Sequence, residues 1–187
     1  MKRLFPSLPE TPDLGDTMQA FPAAAGLMLQ LTDSILLRDS DLTTGQREII
    51  AAYVSALNAC AYCYQSHKNA AVAFDVDGDL IEALVQDPDT APVDKQMRPI
   101  LSYVTCLTKT PAMMTEAHAQ AVYDAGWSEQ ALYDAIEVCA LFSFMNRIVE
   151  GTGVTYATPP EPPITAEEKA ARRDRTYSDW GRATGLL

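Results

Sequence analysis

Two cysteines and a histidine lie close together in the chain, at Cys60, Cys63 and His67. On a single α-helix they occupy positions i, i+3 and i+7, on one face with Ala70 and Phe74. Apart from the histidine that face is apolar, so it is predicted to point inward. Two thiols beside a base are typical of redox chemistry, in which one thiolate attacks an O–O or S–S bond and its partner closes a disulfide.

The sequence contains two conflicting cues to which thiol attacks. With Asn58 as the predicted N-cap, both cysteines lie in the first turns of the helix, where the macrodipole favours a thiolate at Cys60 by about 0.3–1 kcal/mol. His67 lies one turn after Cys63, and a close charge shifts a pKa by about 1–3 units, or roughly 1.4–4 kcal/mol. Cys63 is therefore favoured if His67 is charged.

Two other interpretations of these residues stay open. Cysteine and histidine are zinc ligands, but the chain has no second Cys-x-x-Cys or His-x3-His unit, and its other histidine, His118, is distant in the sequence. The other is a purely structural role, as a pair of small buried cysteines beside a hydrogen-bonded core histidine. The sequence favours redox chemistry, with no bound transition metal and no cofactor.

Glu48 extends the motif to E-x11-C-x-x-C-x3-H. This pattern resembles the core motif of AhpD-like alkylhydroperoxidases, in the carboxymuconolactone decarboxylase superfamily. The later segment N-R-I-V-E-G-T-G-V, residues 146–154, is similar to the peroxidase-related branch of that family. The resemblance covers about residues 42–154 and implies an all-α helical bundle.

The resemblance also implies a function, a thiol-dependent peroxidase. Cys63 would attack the peroxide, Cys60 would resolve the product as a disulfide, His67 would relay the proton, and Glu48 would orient His67. The implied partners are a hydroperoxide substrate, an external thiol or dithiol reductant, and further copies of the chain in a homo-oligomer.

One position departs from the family pattern. AhpD proteins carry a second histidine just before the second cysteine, and this chain has Tyr62 there. A phenol, with a pKa of about 10, donates hydrogen bonds but is a poor base near neutral pH. Two alternatives to a peroxidase therefore stay open: a decarboxylase-type enzyme, although that branch typically lacks the cysteine pair, and a redox-sensing oligomer without turnover.

Composition limits the partners and the compartment. The 187 residues carry a net charge of −11, which disfavours nucleic acid and anionic membrane surfaces. The N-terminus has no apolar signal-peptide core, and no run of about 18 apolar residues is present to span a bilayer. The prediction is a cytoplasmic protein, in which Cys106 and Cys139 are small buried hydrophobic residues.

The motif must be positioned by helices, and the sequence predicts only helices. Residues 1–15 are a proline-broken, extended leader. In the helical segment that follows, from about Asp16 to Leu37, Pro22 either lies near the start or divides off a short first piece. Thr43 and Gln46 form a capping box that begins the Glu48 helix. That helix is predicted to form an antiparallel hairpin with the cysteine helix, and a long apolar helix after Ser128 to pack against both.

The predicted domain comprises residues 1–157, followed by a linker and arm over residues 158–187. The linker is the proline-rich segment 158–163. A charged helix then runs from Ala166 to about Trp180. Because it has few large apolar residues, this helix must dock on the body of the protein or on a second subunit.

Overall fold

The computed structural model describes residues 4–156 and 164–187. Within these ranges the chain forms ten α-helices and no strand, so the predicted all-α fold class is confirmed. In chain order the helices are α1 (Leu14–Ala20), α2 (Ala25–Leu36), α3 (Thr44–Leu57), α4 (Ala61–Ala73), α5 (Gly78–Gln86), α6 (Met97–Lys109), α7 (Glu116–Asp124), α8 (Glu129–Thr152), α9 (Ala166–Asp174) and α10 (Tyr177–Thr184).

Local capping signals determine where the helices of the site begin. Thr43 Oγ1 accepts a hydrogen bond from the Gln46 N–H at 3.2 Å, and the Gln46 side chain accepts one from the Thr43 N–H at 2.9 Å. This is the predicted capping box of α3. At α8, Ser128 Oγ accepts from the Ala131 N–H at 3.0 Å.

Helix α3 lies at the centre of the core and packs against α4, α5, α6 and α8. Ile50 and Val54 on α3 and Val138 on α8 are completely buried. Each such side chain contributes about 1.5–3 kcal/mol to stability through burial. Only residues 58–60 join α3 to α4, so the helix that carries Glu48 and the helix that carries the cysteines lie together in the best-packed part of the protein.

The C-terminal arm contains two helices, whereas the sequence predicted one from Ala166 to about Trp180. Helix α9 ends at Asp174. A new capping box then begins α10, in which Thr176 Oγ1 accepts from the Asp179 N–H at 3.0 Å. The single-helix prediction is wrong because this second cap starts a new helix within the charged segment.

The arm docks on the body of its own chain. The Asp33 carboxylate on α2 accepts hydrogen bonds from the N–H groups of Tyr177 and Ser178, at 2.7 and 2.9 Å. The Arg173 guanidinium lies 2.8 Å from the Asp75 carboxylate, just beyond the end of α4. The first turn of α10 is therefore capped by a side chain from a distant helix.

Two glycines permit this close docking. A Cβ atom at Gly181 would lie 2.7 Å from Leu29 Cδ1, and one at Gly26 would lie 2.6 Å from the Leu186 carbonyl oxygen. Larger side chains at either position would push α10 away from α2.

Two further expectations concern the extent of the domain and the membrane. The predicted linker at 158–163 lies outside the described residues, so the boundary at residue 157 stays a prediction. No helix in the described parts of the chain is long and apolar enough to cross a bilayer.

The cap at Asp33 provides a test of how the arm is held. Asp33→Ala should lower the free energy of unfolding by about 1–2 kcal/mol, because two N–H groups of α10 lose their acceptor. Urea unfolding followed by circular dichroism measures this. Asp39→Ala, an equal change of charge at an exposed position, should stay within about 0.5 kcal/mol of wild type. Equal effects of the two substitutions would contradict the cap.

Candidate active site

The turn between α3 and α4 positions both cysteines. The sequence predicted Asn58 as the N-cap of the cysteine helix, but Asn58 ends α3 and Cys60 itself is the N-cap of α4. Ala59 has a left-handed φ of 57°, and the N–H groups of Ala59 and Cys60 donate to the carbonyls of Ala56 and Ser55, both at 2.9 Å. This is a Schellman motif, so Asn58 serves the helix that ends there.

Helix α4 turns Cys63 and His67 inward, whereas Ala70 and Phe74 of the predicted face are only partly buried, and this brings His67 onto Glu48. His67 Nδ1 lies 2.6 Å from Glu48 Oε2, and the residues are 8% and 1% exposed. Because an ionised carboxylate only accepts hydrogen bonds, Nδ1 donates to Glu48, and Nε2 is the ring nitrogen left to exchange a proton with another group. The Phe142 ring on α8 meets the imidazole edge-on, with 4.2 Å between centroids.

The pKa values of the two thiols are shifted in opposite directions. A hydrogen bond from Cys60, which is the largest cause, together with the His67 charge and the Asn146 side chain lowers the pKa of Cys63 to about 7, against the effect of burial. The same hydrogen bond, together with burial, raises the pKa of Cys60. Cys63 is therefore the thiol of the pair that ionises first, with a pKa close to neutral pH.

Cys63 and His67 line a cavity of about 340 Å³. Its apolar wall comes from helices that are distant in the sequence, through Met18, Leu29, Phe142, Met145 and Trp180. Cys60 instead borders a separate, shallower depression, together with Tyr64 and Glu82. A small molecule in the first cavity therefore meets the sulfur of Cys63.

Two solved structures share this fold. A peroxidase-related protein from Silicibacter sp. TM1040 has a TM-score of 0.71 at 25% identity, over 76% of this chain and 74% of its own. An alkylhydroperoxidase AhpD core from Ralstonia eutropha JMP134, also named peroxidase-related, has a TM-score of 0.71 at 23% identity, over 74% and 73%. No curated protein matches the chain.

Residues 22–97 match the sequence model of the carboxymuconolactone decarboxylase family. This match and the two solved structures make the chain similar to AhpD-like proteins of the carboxymuconolactone decarboxylase superfamily. The matched segment contains Glu48, Cys60, Cys63 and His67. The resemblance drawn from the motif is thus confirmed at the level of the superfamily, while the roles of these four residues stay predictions.

In this AhpD-like protein, Tyr62 also lines the cavity. Its ring packs edge-on against Tyr156, with 6.3 Å between centroids. Burial raises the pKa of the Tyr62 phenol, and the backbone of Leu14 opposes this only in part. Tyr62 therefore stays protonated at neutral pH and does not replace the family's second histidine as a base.

Asn146 on α8 is a site residue that sequence reasoning missed. It is 2% exposed; its Oδ1 accepts from Asn58 Nδ2 at 2.9 Å, and its Nδ2 donates to Ser55 Oγ at 3.0 Å. Held in this way, the amide adds to the effect of Cys60 in lowering the pKa of Cys63. The available signal was a polar amide inside an apolar helix, because a buried amide needs partners.

The remaining candidate ligands and cysteines lie away from this site. Among residues 4–156 and 164–187, no group of three or more His, Cys, Asp or Glu side chains is arranged to hold a metal ion. Cys139 is buried, and burial raises its pKa. Cys106 was expected to be buried but is partly exposed, because α6 turns it toward the surface.

The hydrogen bond between the thiols predicts how Cys63 responds to substitutions of Cys60. Cys60→Ala removes the donor and should raise the pKa of Cys63 above about 7. Cys60→Ser keeps an O–H donor of similar size and should leave this pKa closer to the wild-type value.

Iodoacetamide alkylation of Cys63 from about pH 5 to 10 measures the pKa of Cys63 in each of the two variants, since only the thiolate reacts. Cys106→Ser serves as the common background, because Cys106 is partly exposed. If Cys60→Ala and Cys60→Ser titrate together, Cys60 is not the donor.

Proposed function

We propose that the protein is a thiol-dependent peroxidase that reduces organic hydroperoxides through Cys60 and Cys63. The observation that carries the proposal is a thiol with a pKa of about 7 facing a largely apolar cavity, beside a histidine paired with a buried carboxylate. The thiolate is the form that attacks peroxides, and the apolar wall favours an organic substrate. The Silicibacter relative is itself named peroxidase-related.

The first step oxidises Cys63. Its thiolate attacks the outer oxygen of the hydroperoxide, R–O–O–H; the S–O bond forms, the O–O bond breaks, and the electron pair leaves on RO⁻. The proton that Cys63 gave to His67 passes to RO⁻. The products are ROH and a sulfenic acid on Cys63.

The second step closes the disulfide. The sulfur of Cys60 attacks the sulfur of the Cys63 sulfenic acid; the S–S bond forms, the S–O bond breaks, and hydroxide leaves with the Cys60 proton as water. An external dithiol then reduces the disulfide by exchange, is itself oxidised to a disulfide, and restores both thiols.

The Glu48–His67 pair has a defined task in this scheme. Glu48 holds the Nδ1–H of His67, so that Nε2 accepts the proton from Cys63, and the carboxylate stabilises the imidazolium that forms. The pair thereby keeps the transferred proton inside the site until the alkoxide takes it.

A single turnover tests the function without knowledge of the reductant. Reduced wild-type protein mixed with cumene hydroperoxide should lose two hydrogens on the peptide that contains Cys60 and Cys63, as measured by mass spectrometry. Cys60→Ser should stop at a sulfenic acid on Cys63, which dimedone traps. Cys63→Ser should form no comparable adduct.

Cys106→Ser is the control for that experiment and should react like wild type. If the wild-type protein does not react with any hydroperoxide, the proposed function is wrong. If Cys63→Ser retains the reactivity and Cys60→Ser loses it, the roles of the two thiols are reversed.

Substitutions in the relay should slow the same step. His67→Ala should reduce the rate of sulfenic acid formation by about 10²-fold, the usual contribution of a positioned general base. It should also raise the pKa of Cys63, because the His67 charge adds to the Cys60 hydrogen bond in lowering it. The acid limb of the pH–rate profile therefore moves to higher pH.

Glu48→Gln should slow the reaction too, because an amide can donate to Nδ1 and so favour the wrong tautomer of His67. Glu167→Gln, at an exposed position on α9, is the control of equal charge change. Stopped-flow measurements at several pH values provide the comparison. Equal rates for Glu48→Gln and Glu167→Gln would exclude the relay.

A further inference from the structure

Tyr177 reaches the site from the C-terminal arm. Its side chain lines the cavity that contains Cys63 and His67. It also lines a second cavity, of about 290 Å³, whose wall includes Glu48. Tyr177 thus borders both the cavity of the thiol that would react and the cavity beside the carboxylate of the proposed relay.

The position of Tyr177 is fixed at its backbone. It is the first residue of α10, and its N–H donates to the Asp33 carboxylate at 2.7 Å. The next turn is held by the close approach of Gly181 to Leu29. Anchors on both sides place the ring at the cavity wall as part of the packed protein.

The phenol is set up as a donor. Burial raises the pKa of Tyr177 well above its ordinary value, and the negative charges of Glu48, Asp33 and Cys63 add to this. It therefore keeps its hydrogen near neutral pH, where Cys63 begins to ionise.

The proposed chemistry needs such a donor. When the O–O bond breaks, negative charge develops on RO⁻ inside a largely apolar cavity, where a positioned O–H group is worth more than in water. Thr32, which also lines the cavity, already donates to the Met28 carbonyl at 2.8 Å. Ser66 borders both cavities, but a serine within a helix commonly bonds to its own backbone, and an aliphatic hydroxyl is a weaker donor than a phenol.

We propose that Tyr177 donates a hydrogen bond to the departing oxygen of the hydroperoxide, which makes the C-terminal arm part of the active site. The inference rests on the peroxidase function proposed above. In the step itself the Cys63 sulfur takes the outer oxygen, the O–O bond breaks, and Tyr177 O–H stabilises RO⁻ until His67 protonates it. Tyr177 keeps its own proton at the end.

The test compares two oxidants that differ in the leaving group. tert-Butyl hydroperoxide releases an alkoxide, whereas peracetic acid releases a carboxylate, which is stable as an anion. In the Cys60→Ser background, Tyr177→Phe should slow sulfenic acid formation with tert-butyl hydroperoxide by about 10²-fold, the usual loss of one such donor. With peracetic acid the rate should fall by less than about threefold, because little stabilisation is needed.

Three matched variants identify the donor. Tyr133→Phe makes the same change on the exposed face of α8 and should leave both rates unchanged. Tyr62→Phe and Ser66→Ala remove the competing hydroxyls. Any decrease in the rate of sulfenic acid formation in these variants should be equal for the two oxidants. A selective loss in one of these variants, and none in Tyr177→Phe, would overturn the assignment.

A structural role for Tyr177 predicts a different pattern, in which Tyr177→Phe slows both oxidants equally, and that result also overturns the proposal. Asp33→Ala is the second variant: it keeps the phenol but removes its anchor, so it should give a selective loss in the same direction. If the Cys60→Ser parent reacts with neither oxidant, the peroxidase function itself fails. If the parent reacts and no selective loss is seen, only the role of Tyr177 fails.

Discussion

The buried hydrogen bond between Glu48 and His67 is the interaction on which the geometry of the site depends. A carboxylate that is 1% exposed needs a partner, and removing one member of such a buried pair typically costs about 3–5 kcal/mol. Glu48 is fixed on α3, the most deeply packed helix, so α4 must lie where His67 reaches it. Because Cys63 is one turn before His67, this requirement also directs the Cys63 sulfur into the cavity.

The electrostatics of the thiols depends on how the chain enters α4. Burial raises the pKa of a thiol, as it does at Cys139. At Cys63 the hydrogen bond from Cys60 outweighs burial. The Schellman turn at Ala59 makes this possible, because it places Cys60 at the N-cap of α4. A left-handed alanine costs of the order of 1 kcal/mol, and here it lies directly beside the reactive pair.

What could be predicted from the sequence depended on short-range signals. The capping box at Thr43, the division at Pro22 and the shared face of Cys63 and His67 each rest on residues within a few positions of one another. Contacts between distant residues could not be predicted: Asp33 caps Tyr177 across 144 positions, and Asn146 reaches Ser55 across 91. The largest influence on the pKa of Cys63, the hydrogen bond from Cys60, was also missed. It depends on the geometry of the turn before α4, whereas the proximity of His67 to Cys63 can be seen on a helix projection.

The difference between short-range and long-range contacts also separates the chemistry of the site from its specificity. The reacting groups come from α3, α4 and the turn between them, where local sequence determines the geometry. The cavity wall comes from α1, α2, α8 and α10, through side chains such as Met18, Leu29, Met145 and Trp180. These wall residues are absent from the causes that lower the pKa of Cys63. Under the proposed function, substitutions in the wall should therefore change which hydroperoxides enter the cavity while leaving the pKa of Cys63 unaltered.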